Sequence, residues 1–236
     1  MSCVYEKVFS VTDNMCGQNT YMKPSGVLDV LQSIAGEHAN LLGIGFDDVI
    51  KKNLCYIIAR NKYDMLKPIK RFTNIRVKTW PATPAKIDLD RYYEIYDADT
   101  NELLLTGVSK WLLIDITTRR IARTSNVEFP NDIYEKVLYE SFDKLRFDGI
   151  SFEESYDFVV RFSDLDLNNH MNNTKYAEAL VYDQEKVVNH FEINYISEVV
   201  RGDILNIYYQ KDNNEAKFQG ITNDKVSFTA YYTYFN

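Results

Sequence analysis

Cysteine, histidine, glycine and proline are all scarce in this chain, and each shortage removes a class of explanation. Three cysteines among 236 residues (Cys3, Cys16, Cys55) show no CxxC spacing and form no even-numbered set. That excludes a disulfide framework and points to free thiols in a reducing compartment. Three histidines, with neither HxxxH nor HExxH, make a poor zinc set. A GxSxG elbow, a P-loop and a GxGxxG fingerprint are also missing, so no serine-elbow hydrolase and no nucleotide cofactor is expected. The sequence implies no metal and no other cofactor.

Positive charge is in deficit, 27 Lys and Arg against 34 Asp and Glu, for a net −7. A general nucleic-acid footprint needs a clustered positive field and is excluded. A local basic set does exist in KPIKRFTNIRVK: Lys67, Lys70, Arg71, Arg76 and Lys78. It reads equally as a strand edge kept soluble by cations and as a docking patch for an anionic partner. The opening residues MSCVYEKVFSVTDNM lack a basic segment followed by an apolar one, and no apolar run reaches membrane-spanning length. A cytoplasmic protein without a membrane partner is the expectation.

What is abundant is aromatic. Eighteen tyrosines and 13 phenylalanines, broken by only nine glycines and five prolines, suit long half-buried β-strands. Residues 25–42 carry apolar positions at helical spacing (Val27, Leu31, Ile34, His38, Leu41; Leu28, Ala35, Leu42), with Pro24 and Ser25 before and Gly43 after. His38 reads as a buried structural histidine on that face. Four strand-like runs follow: LCYIIARNKYDML, TNIRVKTWPA, DLDRYYEIYDAD and ELLLTGVSKWLLID. The second half repeats the order, with a strand-like YDFVVRF, a helix over about 173–183, and then HFEINYIS, DILNIYYQ, EAKFQGIT and KVSFTAYYTYF. His190, at the start of HFEINYIS, reads as a surface residue.

The halves superpose in apolar pattern at an offset of 130 (191 − 61), which sets Arg201 on Arg71, Leu205 on Ile75 and Ile207 on Val77. Two copies of a helix with several antiparallel strands pair their sheets to bury both helices. The fold class is α+β, with units at 1–127 and 151–236 and a partly helical connector at 128–150. The copies differ in their polar residues. Glu198 falls on Pro68, and the loop before the first helix, TDNMCGQNTYMKPSG, has no histidine.

That difference centres on SDLDLNNHMNN, residues 163–173. In an extended stretch the spacing of Asp166, Asn168 and His170 would put a carboxylate, a carboxamide and an imidazole on one face. Such a set can orient or accept a proton, donate to a carbonyl oxygen, and shuttle a proton. The N–H groups opening the next helix would add stabilisation for a developing oxyanion, as ester or thioester hydrolysis requires. Asp164, Asn169, Asn172 and Asn173 read as turn and cap residues.

DLDLNNHMNNTKY resembles the D-x-N-x-H-[VM]-N-N-x-x-Y signature of acyl-acyl carrier protein (acyl-ACP) thioesterases of plant-plastid and bacterial type. YIIARNKYDMLKPIKRFTNIRVKTWP and NYISEVVRGDIL resemble two further segments of that family, so the likeness covers nearly the whole chain. It implies a double hotdog, two tandem units each with a long central helix wrapped by antiparallel sheet. It also implies release of free fatty acid from acyl-ACP, with Asp166, Asn168, His170 and Glu198 catalytic. Plant members carry a cysteine after that glutamate; here Val199 stands there, so water must attack, activated by Glu198 or Asp166. The resemblance further suggests an acyl tunnel lined by Leu28, Leu31, Ile34 and Ala35, with Gly36 marking either close approach of an acyl chain or close packing on the sheet. It makes the set from Lys67 to Lys78 the candidate carrier dock. An acyl-coenzyme A thioesterase of the same fold and a non-enzymatic acyl-binding protein are the alternatives. A hotdog dehydratase, resembling D-x-N-P-x-H, fits less well because the spacing is one shorter and lacks the proline. A monomer and a homodimer are both compatible.

Overall fold

The computed structural model describes residues 3–130, 132, 134–140, 142–147 and 149–236. Each run with strand character forms a strand: β2 (Leu54–Met65), β3 (Asn74–Pro81), β4 (Asp88–Asp97), β5 (Leu103–Asp115), β7 (Glu154–Val159), β8 (Val188–Tyr195), β9 (Ile204–Lys211), β10 (Glu215–Thr222) and β11 (Lys225–Tyr234). Two further strands, β1 (Tyr5–Ser10) and the two-residue β6 (Arg120–Ile121), carry no periodicity strong enough to single them out. The helices are α1 (Pro24–Leu41), α2 (Phe46–Ile50) and α3 (Asn173–Glu178).

The strands form one antiparallel sheet in the order β1-β3-β4-β5-β2-β8-β11-β10-β9-β7, with β6 beside β5. The order reads as a palindrome, five strands from each half meeting at β2 and β8. At that seam Lys62 pairs with Glu192, and these two are themselves 130 apart (192 − 62). The offset seen in the sequence is therefore a pseudo-twofold axis running through this pair. Beside it Tyr63 stacks on Phe191 with ring centroids 5.7 Å apart, both fully buried. A fully buried aromatic contributes on the order of 2–3 kcal/mol, so the halves are joined by core as well as by backbone hydrogen bonds.

Helix α1 starts where Pro24 supplies a ready-made φ at its first position, and it stops before Gly43, which takes the left-handed conformation at φ 72°. Its buried face, including Val27, Leu28, Leu31 and Ile34, joins Tyr63, Met65, Ile75, Val77 and Leu105 in the main core. Helix α3 is much shorter than the span expected over 173–183. Tyrosine hydroxyls take the carbonyls at and beyond its end: Tyr182 donates to Ala177, Tyr156 to Ala179 and Tyr232 to Val181. Acceptors satisfied by side chains from β7, β11 and the following loop need no further helical turn.

The connector is also not helical in its described residues. It runs over the outer face of the sheet, where Tyr134, Leu138, Tyr139 and Phe142 pack on the cluster of Trp80, Tyr92 and Val108. Its carbonyls are taken by sheet side chains, Lys136 O by Trp80 Nε1 (2.8 Å) and Phe142 O by Arg60 Nη1 (2.7 Å). Tyr139 reaches the seam, donating to Asp64 Oδ2 at 2.9 Å. Asp64 in turn binds His190 Nδ1 at 2.7 Å, so His190 is a half-buried partner at the seam and not a surface residue.

Candidate active site

The segment 165–171 is a closed turn and not the extended stretch that alternate spacing suggested. A backbone bridge joins Leu165 to Met171, and Asn169 turns the chain at φ 60°. Asp166 builds the turn: its Oδ1 accepts from the backbone N–H of Asn168 (2.8 Å) and of His170 (3.1 Å). Asp164 accepts from Arg161 N, and Asn172 caps α3 by accepting from Thr174 N at 3.1 Å. The cap uses one of the N–H groups that the sequence reading offered to an oxyanion.

The turn nevertheless brings Asp166, Asn168 and His170 to one cavity, and Glu198 joins them from the loop after β8. His170 Nε2 lies 3.3 Å from Glu198 Oε2. The same carboxylate oxygen is held by Arg119, a residue of the β5–β6 turn. Periodicity and motif did not single out Arg119. It stands 79 residues from Glu198, at a non-glycine position with φ 58°, and such a backbone conformation leaves no mark in hydropathy. Glu198 and Arg119 keep side-chain exposures of 46% and 58%, whereas His170 keeps 22%. The carboxylate thus stands at the mouth with the imidazole behind it.

No thiol competes with this pair. Val199, next to Glu198, is fully buried in the main core. Cys55 lies within electrostatic reach of Arg119, Glu198 and Asp166, but burial pushes its thiol above the usual value and disfavours a thiolate. Among the described residues no group of three or more metal-ligating side chains occurs, and no helix is long and apolar enough to cross a membrane.

The cavity, mouth included, holds about 830 Å³ and extends between α1 and strands β2, β4 and β5. Of the four helix residues expected to line a tunnel, only Ala35 borders it, beside Gln32, Gly36 and Ala39. Leu31 turns to the sheet, where its Cδ1 lies 3.4 Å from the place a Cβ on Gly107 would take; Ile34 and Leu28 belong to the same core. A Cβ on Gly36 would meet nothing within 4 Å, so that glycine opens onto the cavity and makes no tight packing with the sheet. Three polar groups in the wall were not anticipated as a set: Gln32, Tyr56 and Arg91.

The first half keeps the same turn without those side chains. Cys16 bridges to Met22 as Leu165 does to Met171, and Tyr21 to Lys70 as His170 does to Val200. The turns are thus 149 apart (165 − 16) while the strands are 130 apart. The 19 residues between these offsets correspond to the shorter α3 and to the lack of a counterpart of α2 among the described residues of the second unit. In this alignment Gly17 replaces Asp166, Tyr21 replaces His170, and Pro68 replaces Glu198. Asn19 is kept, but its carboxamide binds Lys186 O at 2.8 Å and Tyr21 N at 3.0 Å.

The basic set lies on this disarmed side. Lys70 is bridged to the disarmed turn, and none of the five residues borders the cavity. Four are paired within the chain: Lys67 with Glu102, Arg71 with Asp13 (3.3 Å), and Arg76 and Lys78 with Glu6 (2.8 and 4.0 Å). Carboxylates of its own chain offset most of the field that a docking patch would need.

Residues 2–134 match the model of the acyl-ACP thioesterase N-terminal domain, and residues 150–230 that of the C-terminal domain. A palmitoyl-acyl carrier protein thioesterase of Arabidopsis thaliana chloroplasts is 30% identical over 192 residues, covering 73% of this chain and 45% of the relative. The chain therefore spans about half the length of the curated relatives it matches. In fold it is similar to an acyl-ACP thioesterase from Bacteroides thetaiotaomicron, with a TM-score of 0.88 at 20% identity and full coverage of both chains. It is also similar to the 12:0-ACP thioesterase from Umbellularia californica, with a TM-score of 0.81 at 17% identity, covering 100% of this chain and 98% of that one. At such identities the likeness speaks for a shared double-hotdog architecture, and the two domain matches settle the lineage: the chain belongs to the acyl-ACP thioesterase family.

Proposed function

We propose that the protein hydrolyses fatty acyl thioesters carried on acyl carrier protein, releasing free fatty acid by direct attack of water. The observation that carries this reading is the His170–Glu198 pair, 3.3 Å apart at the mouth of a cavity of about 830 Å³. Family membership makes acyl-ACP the favoured carrier.

Glu198 is the base that takes the proton of the attacking water. Asp166, the other candidate, already has Oδ1 engaged by two backbone N–H groups, which supports giving it the positioning role. Asn168 holds the thioester carbonyl oxygen through its carboxamide N–H as negative charge develops there. Glu198 passes the proton taken from water to His170 across their 3.3 Å contact, and His170 hands it to the departing thiolate; a thiol of ordinary pKa (about 8.5) leaves readily, so modest assistance is sufficient. Arg119 holds the Glu198 carboxylate toward His170.

The first unit supplies the wall of the acyl cavity and the second supplies the chemistry. One chain completes the site, so a monomer is sufficient. Three free cysteines suit a reducing compartment such as the cytoplasm. Arg119 borders the cavity, and the exposed Arg120 and Arg123 follow it in the chain, which favours this side over the set from Lys67 to Lys78 as the candidate dock for an acidic carrier.

The test is thiol release from a panel of acyl-ACP thioesters and the matching acyl-coenzyme A series. Release from the carrier-protein series at higher kcat/KM is the expected result. Faster release from coenzyme A would assign the alternative carrier, and release from neither would leave an acyl-binding protein.

A further inference from the structure

The wall of the cavity contains a cation that its own chain does not neutralise. Arg91, on β4, is 3% exposed and borders the cavity. Among the described residues it makes no ion pair. Its hydrogen bonds both leave from Nη1, to His38 Nδ1 at 3.0 Å and Thr79 Oγ1 at 3.2 Å. A guanidinium has no lone pair to offer, so His38 Nδ1 must be the acceptor and is unprotonated. Both partners are therefore neutral at the contacting atom. A buried charge held by neutral groups alone is costly, and such charges are normally paired or directed at a ligand.

Two more polar side chains of the same wall each have an atom without a partner among the described residues. The Tyr56 hydroxyl and the Gln32 Oε1 make no hydrogen bond there and are closed to water-sized contact, so a bound oxygen reaches them through a turn of the side chain. Buried polar groups are hydrogen-bonded with few exceptions. Two orphans and an unpaired guanidinium along one cavity form a set of the kind a bound oxygen atom would satisfy. A plain hydrocarbon chain would leave all three unsatisfied.

Arg91 also lies far from the reaction. In the sheet Arg91 pairs with Ser109, six residues (115 − 109) short of the end of β5 at Asp115, beyond which Arg119 holds Glu198; that is about 20 Å along the strand. A group that reaches it belongs to the remote part of the acyl chain.

We propose that the cavity selects acyl chains carrying an oxygen function, a hydroxyl or a carboxylate, remote from the thioester, with Arg91, Tyr56 and Gln32 as its specificity-determining residues. A hydroxyl would accept from Arg91 or Tyr56 and donate to Gln32 Oε1; a carboxylate would pair with Arg91 and accept from Tyr56. This rests on reading the cavity as an acyl site.

The experiment compares kcat/KM on acyl-ACP thioesters of equal length ending in methyl, hydroxyl or carboxyl, using the full chain. An advantage of 10–100-fold for one of the oxygenated chains is expected, the range of one hydrogen bond to a charged group. A hydroxyl advantage assigns the Gln32 acceptor, and a carboxyl advantage assigns an ion pair; either supports the proposal. In Arg91→Met the ratio of oxygenated to plain rates should fall toward one. Tyr56→Phe, which removes a single oxygen and fills the same space, should lower the ratio if Arg91→Met does not fold. A native preference for the methyl-ended chain at every length, or a ratio unmoved by both variants, would overturn it. Calorimetric titration with the free oxygenated and plain fatty acids reads the same preference without turnover. Tighter binding of the oxygenated acid by a protein that hydrolyses no thioester would sustain the selectivity and refute the hydrolase reading alone.

Discussion

Replacing Glu198 by Gln keeps the size of the side chain and removes its charge and its ability to take a proton. The carboxylate is held by Arg119 and by His170 at 3.3 Å, with side-chain exposures of 46% for Glu198 and 58% for Arg119. Ion pairs this open contribute about 0.2–1 kcal/mol to stability. The melting temperature should therefore fall by no more than about 2–4 °C for a chain of this size. Loss of a positioned base lowers the rate by about 10²–10⁴-fold. That range equals about 2.7–5.4 kcal/mol of transition-state stabilisation at 1.36 kcal/mol per decade. The chemical step thus loses several times more free energy than the fold does. Single-turnover thiol release from acyl-ACP, with thermal melts of the same samples, measures both. Glu198→Asp, which retracts the carboxylate by one methylene, should fall between native and Gln. A Glu198→Gln enzyme within fivefold of native would remove Glu198 from the mechanism. A melt lowered by more than 10 °C would show that activity was lost through folding.

Gly36→Ala should stabilise the protein by about 0.5–1 kcal/mol, since a Cβ there meets nothing within 4 Å and alanine is the better helix former; Gly36→Phe should shorten the acyl chains accepted, read by product analysis. Charge reversal at Lys70 and Arg71 together should leave kcat/KM on acyl-ACP within about threefold, because both flank the disarmed turn, and a much larger loss would return carrier docking to that side. Asp64→Asn should lower the melting temperature at pH 7 and lose its effect as the medium is acidified. Burial works to raise the Asp64 carboxyl, but the hydrogen bond and charge of His190, with Tyr139 and Lys62, bring it below the ordinary value. A carboxyl depressed on folding stabilises above its unfolded value near 3.9, and that contribution fades as pH falls through the lower folded value. Equal melting curves at pH 7 would refute the assignment.

Strand positions were legible because alternation is a local property: each of the nine predicted runs needs only its own residues to decide which side faces the core. The repeat was legible for the same reason, since two copies under one packing constraint keep one apolar pattern. The turn around His170 was legible only in part. The residue types of Asp166, Asn168 and His170 announced chemistry, but the extended geometry was wrong, because the hydrogen bonds from N–H groups to Asp166 Oδ1 fold the segment back on itself. The length of α3 was misjudged because the tyrosines that take its last acceptors lie in other elements.

The sequence by itself determined two tandem units of helix and antiparallel sheet, the placing of Asp166, Asn168, His170 and Glu198 in only one of them, and the absence of a thiol beside Glu198. The tertiary structure decided which partners those residues have. Arg119 meets Glu198 across 79 residues, and Arg91 meets His38 across 53. It also decided that the expected docking set lies beside the disarmed turn. Such pairings depend on how strands order and how loops return over them, and no window of local periodicity contains that information.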